Sequence, residues 1–153
     1  TLTEYLRQNR LTLRLKCERL DAEQLARRPV EPSTMSLLGL IRHMAEVERE
    51  WFRRRFAGHD VPKLYQSEAE PDGDFDGAVA DAAVVEQAWA AWREEIAFSD
   101  RFVAGHDLGF VGRDGRGDPF SLRELLVHMI EEYGRHNGHA DLFRERLDGR
   151  VGE

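Results

Sequence analysis

The sequence predicts an all-α protein, folded as an antiparallel four-helix bundle. Apolar residues recur at three- and four-residue spacing through four long segments, which is the period of an amphipathic helix. Proline- and glycine-containing stretches separate these segments, and no strong strand signal interrupts them. Four such helices bury their apolar faces against one another. The length of 153 residues fits one domain, so we expect residues 1–153 to form a single bundle.

The first two helices begin at recognisable N-cap positions. Thr1 and Glu4 have capping-box spacing and precede a helical pattern over residues 2–20. A connector with a short helical turn at Ala22–Arg27 follows. Ser36 is the expected N-cap of a second helix over residues 36–56, which Gly58 and Pro62 end.

The second half of the chain continues this alternation. Residues 57–76 have no clean period, which predicts an irregular and mobile crossover that can border an active site. A third helix is predicted over 77–104. The glycine-rich residues 105–118 predict a short hairpin or a lid over one end of the bundle. Ser121 and Glu124 form a second capping-box pair, and a fourth helix runs from there to about Leu147.

Composition narrows the class of function. The net charge of −7 and the pI of about 5.4 argue against a nucleic-acid partner. The chain has no apolar run of the roughly 18 residues that span a membrane. Its single cysteine, Cys17, lies within the first helical pattern and cannot form an internal disulfide, so we expect a cytoplasmic protein.

Two residues on the buried face of the fourth helix are candidate metal ligands. At about 100° per residue, His136 lies near the centre of the apolar stripe and Glu132 within about 50° of that centre. A carboxylate among leucines is costly unless it is paired or bound to a metal. Glu132 and His136 are four residues apart, so their side chains lie one turn apart on the same face and can bind one ion.

A third ligand is expected from a facing helix. His43 is the only histidine of the second helix and borders its apolar face. Two histidines and one carboxylate leave open positions on an ion, as in catalytic sites. Two alternatives remain: Glu132 and His136 could be a simple buried hydrogen-bonded pair, or His128 and Glu132 could form the ligand pair, with His139 on the same flank.

The segments SLLGLIRHMAEVEREWF and SLRELLVHMIEEYGRHNGHADLFRERLDG resemble the DinB-like superfamily of four-helix metalloenzymes. The resemblance covers essentially the whole chain. Its motifs are a histidine followed eight residues later by tryptophan on the second helix and an H-x-G element on the fourth. It implies that His43 and positions 132 and 136 hold a divalent metal, and that the protein forms a homodimer.

Many members of the superfamily have histidine at the position of Glu132. The glutamate of this chain is similar instead to the branch of mycothiol-dependent maleylpyruvate isomerase and thiol S-transferases, in which His, Glu and His bind zinc. This resemblance implies a zinc ion, with nickel as the alternative, and a mycothiol-like thiol as cosubstrate.

The leading hypothesis is therefore a metal-dependent transfer of a small thiol to an electrophilic small molecule. Tyr133, Arg135 and His139 are the candidates for orienting the substrate or supporting the ligands. A metal-dependent hydrolase at the same site is the first alternative. The second is a non-catalytic, dimeric binding module, whose interface could include Trp89 and Trp92.

Overall fold

The computed structural model describes residues 1–152, which form a helix bundle. Its six α-helices are α1 (Leu2–Cys17), α2 (Ala22–Ala26), α3 (Leu37–Glu48), α4 (Gly73–Asp76), α5 (Ala82–Ala104) and α6 (Leu122–Asp148). Strands β1 (Val111–Arg113) and β2 (Pro119–Ser121) pair as an antiparallel hairpin between α5 and α6. The predicted all-α bundle is confirmed. Among residues 1–152, no helix is both long and apolar enough to cross a bilayer.

The caps predicted from the sequence are present, but two helices are shorter than expected. Both predicted capping boxes form, at Thr1 and at Ser121. The first helix ends at Cys17 rather than near residue 20, because Arg19 adopts a positive φ of 61°. The third begins at Ala82 rather than at residue 77. Asp81 is its N-cap, and the side chain of Asp81 accepts a hydrogen bond from the backbone N–H of Ala83.

The end of the predicted second helix is a π-helix rather than an α-helix. It continues α3 over Arg49–Phe56, and the Ala57 N–H donates to the carbonyl of Phe52, five residues earlier, at 2.9 Å. The wider turns direct Trp51 against Phe120 and His128. Eight residues are too few for an apolar period to distinguish the two kinds of helix.

Contacts between side chains define the direction of each long helix. Asn9 bonds to Asn137 and Lys16 to Asp141, so α1 and α6 run in the same direction. Trp51 of the π-helix contacts His128, whereas His43, two turns earlier in α3, contacts His136, so α3 runs against α6. The helix α5 runs with α3, because the crossover over residues 57–72 returns the chain to the end of the bundle where α3 begins. The helices α1 and α6 therefore run in one direction, and α3 and α5 run in the opposite direction.

A buried carboxylate ties the four long helices together in the core. The fully buried Glu48 on α3 accepts two hydrogen bonds from Arg10 on α1, both at 2.8 Å. It also accepts from Ser99 on α5 at 2.6 Å and from Tyr133 on α6 at 2.8 Å. The hydroxyl of Tyr133 in turn accepts from the indole N–H of Trp92. A buried charge is tolerated when it is paired and hydrogen-bonded in this way.

The crossover between α3 and α5 is irregular, as predicted, but hydrogen bonds hold it against α3. The carboxylate of Glu46 accepts from the backbone N–H groups of Leu64, Tyr65 and Gln66 at 2.6–3.2 Å. The guanidinium of Arg42 donates to the carbonyl oxygens of Gly73 and Asp74 at the start of α4. These bonds fix α4 beside the first half of α3, where His43 lies.

Candidate metal centre

The structure brings His43, Glu132 and His136 together between α3 and α6. One ligand atom of each residue lies within 4.8 Å of the corresponding atoms of the other two. Oε1 of Glu132 lies 3.5 Å from Nε2 of His43 and 3.3 Å from Nε2 of His136. Among residues 1–152, this is the group of histidine, cysteine, aspartate and glutamate side chains whose geometry is compatible with a metal ion.

The spacing of these atoms fits a small tetrahedral ion. Ligand atoms about 2.0–2.1 Å from a tetrahedral zinc are about 3.3–3.4 Å from one another. The two separations that involve Glu132 are 3.3 and 3.5 Å. Imidazole nitrogen and carboxylate oxygen are ligands of the types that zinc and nickel accept. The donor set and its spacing are therefore compatible with such an ion.

The cluster is accessible from solvent on one side. The side chains of His43, Glu132 and His136 are 18%, 19% and 11% exposed. Glu132 and His136 lie one turn apart on α6, and the opposite direction of α3 brings His43 level with both. An ion held by these three side chains would keep a position open towards the solvent.

Asp74 supports His43 from behind and was not among the residues predicted from the sequence. Its Oδ2 lies 2.7 Å from Nδ1 of His43, and the side chain is almost completely buried. It also accepts from the side-chain amide of Gln66 at 3.1 Å. A proton on Nδ1, shared with Asp74, leaves Nε2 of His43 to face Glu132. Metal-bound histidines are commonly oriented by a carboxylate in this way.

Two glycines allow the close contacts that bring Asp74 to this position. The ring of Phe75 lies on Gly39 of α3, and a Cβ at Gly39 would be only 2.6 Å from that ring. A Cβ at Gly73 would collide with the carbonyl oxygen of Tyr65. The sequence contains only an indirect signal for Asp74: it is an aspartate beside a glycine, and it lies in the crossover that is expected to border the site.

The charges of the cluster are strongly coupled. Hydrogen bonds from His136 and then from His43 hold the pKa of Glu132 well below its usual range. Burial disfavours the charged form of His43, but hydrogen bonds to Asp74 and Glu132 outweigh it and raise the pKa of His43 to about 9. The pKa of Asp74 is lowered although burial opposes this, chiefly by its hydrogen bond with His43. Without a metal, a proton on His43 thus compensates the two carboxylates.

The structure separates the three residues predicted to assist the cluster. Nδ1 of His139 lies 3.3 Å from Nδ1 of His136, which places His139 behind His136 as Asp74 lies behind His43. Arg135 is exposed on α6. The hydroxyl of Tyr133 is directed into the core, where it bonds to Glu48. This position of Tyr133 does not support contact with a substrate at the cluster.

The other histidines lie outside the cluster. His128 packs against Trp51, with ring centroids 4.7 Å apart, and is not part of the group that converges with Glu132. His59 and His106 are exposed. Nδ1 of His106 bonds to the carbonyl oxygen of Phe102 at the end of α5.

A comparison with models of protein families shows to which family the chain belongs. The family model described as mycothiol-S-transferase matches residues 1–149. The chain belongs to the mycothiol S-transferase family. This membership agrees with the DinB-like resemblance seen in the sequence.

Two further comparisons extend this result. A crystal structure described as the conserved protein of locus from Enterococcus faecalis is similar to this mycothiol S-transferase family member, with a TM-score of 0.65 and 16% identity. The alignment covers 97% of this chain and 96% of that one, so the two share a fold. No curated protein sequence matches the chain significantly.

Proposed function

We propose that the protein is a metal-dependent S-transferase in which His43, Glu132 and His136 hold one divalent ion. Zinc is the ion we expect, with nickel as the alternative. The observation that carries the proposal is the convergence of three ligand atoms within 4.8 Å of one another, with the two separations that involve Glu132 suited to a tetrahedral ion. Membership of the mycothiol S-transferase family supports thiol transfer rather than another reaction at this site.

The ligands are supported by hydrogen bonds to neighbouring side chains. Asp74 accepts a hydrogen bond from Nδ1–H of His43, and His139 lies within reach of Nδ1 of His136. Both contacts leave the Nε2 atoms directed to Glu132 and hold the rings in place. A divalent ion held there supplies Lewis acidity, which lowers the pKa of a bound thiol so that the thiolate is available at neutral pH.

The reacting thiol comes from a cosubstrate, because the chain has no suitable thiol of its own. Cys17 is its only cysteine, is buried in α1 and is not part of the group formed by His43, Glu132 and His136. Burial raises the pKa of the Cys17 thiol to about 12. We therefore propose that a mycothiol-like molecule enters from the solvent side of the cluster and that its sulfur attacks an electrophilic small molecule. The reduced thiol pool of the cytoplasm would supply it.

The direct test is the conjugation of mycothiol to 1-chloro-2,4-dinitrobenzene by zinc-loaded protein. The sulfur forms a bond to the ring carbon, chloride leaves and the thiol proton is released to the buffer. We expect enzyme-dependent product with mycothiol and loss of the enzymatic rate in Glu132→Ala. Glu131→Ala is the matched control, because Glu131 is the exposed neighbour on the same helix turn.

Two results would overturn the proposal. One is the absence of any mycothiol-dependent rate above the uncatalysed reaction, with this compound and with a panel of epoxides and activated alkenes. The other is hydrolysis of the electrophile at the same rate without thiol, which would identify a hydrolase at the same site.

A further inference from the structure

A cavity lined by residues of α1, α5 and the segment 18–25 is not explained by the proposed function. Its volume is about 600 Å³, within the range of about 300–1,000 Å³ typical of sites for small molecules. None of its lining residues lies on α3 or α6, the helices that carry the candidate metal ligands. The pairing of α1 with α6 and of α3 with α5 leaves this seam open.

The wall of the cavity is apolar and includes two indole rings. Trp89 and Trp92 contact each other edge to face, with centroids 5.6 Å apart, and both line the cavity. Leu11, Leu25 and Ile96 complete the wall. Leu11 is 41% exposed, so part of this apolar surface remains in contact with water. Aromatic and aliphatic walls of this kind suit the apolar body of a ligand.

The lining is strongly basic although the chain as a whole is acidic. Five arginines and two carboxylates line the cavity, in a chain of net charge −7. Both carboxylates are already paired: Glu18 with Arg14 and Asp100 with Arg10. Within the described residues 1–152, Arg7, Arg19 and Arg93 form no ion pair of their own, so their charges remain available to an anion.

We propose that this cavity binds a small amphipathic anion, with its apolar body against Trp89 and Trp92 and its carboxylate or sulfonate among the arginines of the rim. Charge complementarity supports this occupant over a neutral one, because Arg7, Arg19 and Arg93 line the same cavity as the two indole rings. The inference is independent of the metal centre, since the two sites share no residue.

Decanoate is the probe, with decanol as its neutral match of equal chain length. The measurement uses a Trp51→Phe background, because Trp51 is the only other tryptophan and lies outside the cavity against His128. All tryptophan emission then comes from Trp89 and Trp92. We expect decanoate, below its micellar concentration, to change this emission saturably with one site per chain, while circular dichroism stays constant.

Charge reversal tests the role of the rim. The double variant Arg7→Glu, Arg93→Glu should weaken decanoate binding at least about tenfold, the loss expected when a charge-assisted contact is removed. Decanol should bind the parent at least about tenfold more weakly than decanoate for the same reason. The control is Arg116→Glu, Arg123→Glu, which changes the net charge equally at exposed positions on the hairpin and at the start of α6.

Three outcomes would overturn the inference. Equal affinity for decanoate and decanol would show that the arginines do not select an anion. An unsaturable change accompanied by loss of helical circular dichroism would show unfolding by a surfactant rather than binding. Sedimentation of the parent as a dimer that the Arg7→Glu, Arg93→Glu variant dissociates would show that a second copy covers this seam.

Discussion

A single hydrogen bond determines which nitrogen of His43 faces the candidate metal centre. Asp74 holds Nδ1 at 2.7 Å, so Nε2 is directed to Glu132. The carboxylate is itself held by Gln66 and by the backbone N–H of Phe75. The orientation of the His43 ring therefore depends on a residue of the crossover.

Replacing this carboxylate should weaken metal binding without unfolding the protein. We expect Asp74→Asn to bind zinc about 10–100-fold more weakly, the usual effect of losing the partner of a metal-bound histidine. A competitive titration against a chromophoric chelator measures this. Asp72→Asn, an exposed neighbour in the same segment, is the control and should bind as the parent does. Equal zinc affinity in both variants would show that Asp74 does not orient His43.

The only thiol of the chain should be inert under conditions of catalysis. Cys17 is 2% exposed, and burial raises its pKa to about 12, so it stays protonated well above neutral pH. We expect native protein to react with a disulfide reagent at least about a hundredfold more slowly than protein in denaturant, at pH 7 and at pH 9. Rapid labelling of the native protein would show that Cys17 is accessible and would contradict this prediction.

The convergence of His43, Glu132 and His136 could be predicted from the sequence, but the aspartate beside His43 could not. The period of α6 places Glu132 and His136 on one buried face, and the structure brings both to His43. Asp74 lies in the predicted crossover over residues 57–76, which has no apolar period, so nothing in the sequence assigns it to a face. Its position depends on the packing of Phe75 on Gly39, a contact between distant parts of the chain.

At the scale of elements, the crossover links α3 to the candidate site. The buried carboxylate of Glu46 accepts three backbone hydrogen bonds from residues 64–66, and Gln66 then bonds to Asp74. The segment has little regular structure, so these bonds replace those that a helix or strand would supply. The position of Asp74 depends in part on Glu46, although Glu46 does not contact the cluster.

Substitution of this carboxylate should loosen the crossover before it affects the bundle. We expect Glu46→Gln to lower the free energy of unfolding by about 2 kcal/mol, since bonds to a charged acceptor are weakened. Limited proteolysis should cleave within residues 57–72 sooner than in the parent. Glu50→Gln is the control, because Glu50 pairs with Arg54 and Arg55 at a half-buried surface. Unchanged cleavage in Glu46→Gln would contradict this role.

The sequence predicts the positions of the long helices better than it predicts where these helices change or break. Regular apolar spacing and the caps at Thr1, Ser36 and Ser121 locate α1, α3 and α6, and the glycine-rich hairpin is also found. The π-helix over Arg49–Phe56 and the break at residues 77–81 are not. Both depend on contacts with other elements, which an apolar period does not encode.

At the scale of the whole molecule, Glu48 is the point where the four long helices meet. Its bonds to Arg10, Ser99 and Tyr133 join α1, α5 and α6 to α3. A network of this kind specifies one arrangement of the helices, because other arrangements would leave a buried charge unpaired.

Removal of Arg10 from this network should lower the free energy of unfolding far more than removal of an arginine from the surface. We expect Arg10→Met to lower the free energy of unfolding by about 3–5 kcal/mol, because Glu48 is left buried without its partner. Arg14→Met, which breaks an exposed pair with Glu18 on the same helix, should cost less than about 1 kcal/mol. Urea unfolding measures both. A similar small loss in the two variants would show that the buried pair does not stabilise the bundle.

The direction of the helices places His43 opposite Glu132 and His136. We propose that these three side chains hold a metal ion. The most direct test is elemental analysis of the purified protein beside His43→Ala, Glu132→Ala and, as a control, His106→Ala, which alters an exposed histidine at the end of α5. We predict about one equivalent of zinc or nickel in the parent and the control, and loss of the metal in the other two variants. A parent that remains metal-free after addition of zinc, nickel, iron or manganese would contradict this proposal and would leave a buried group of hydrogen-bonded side chains.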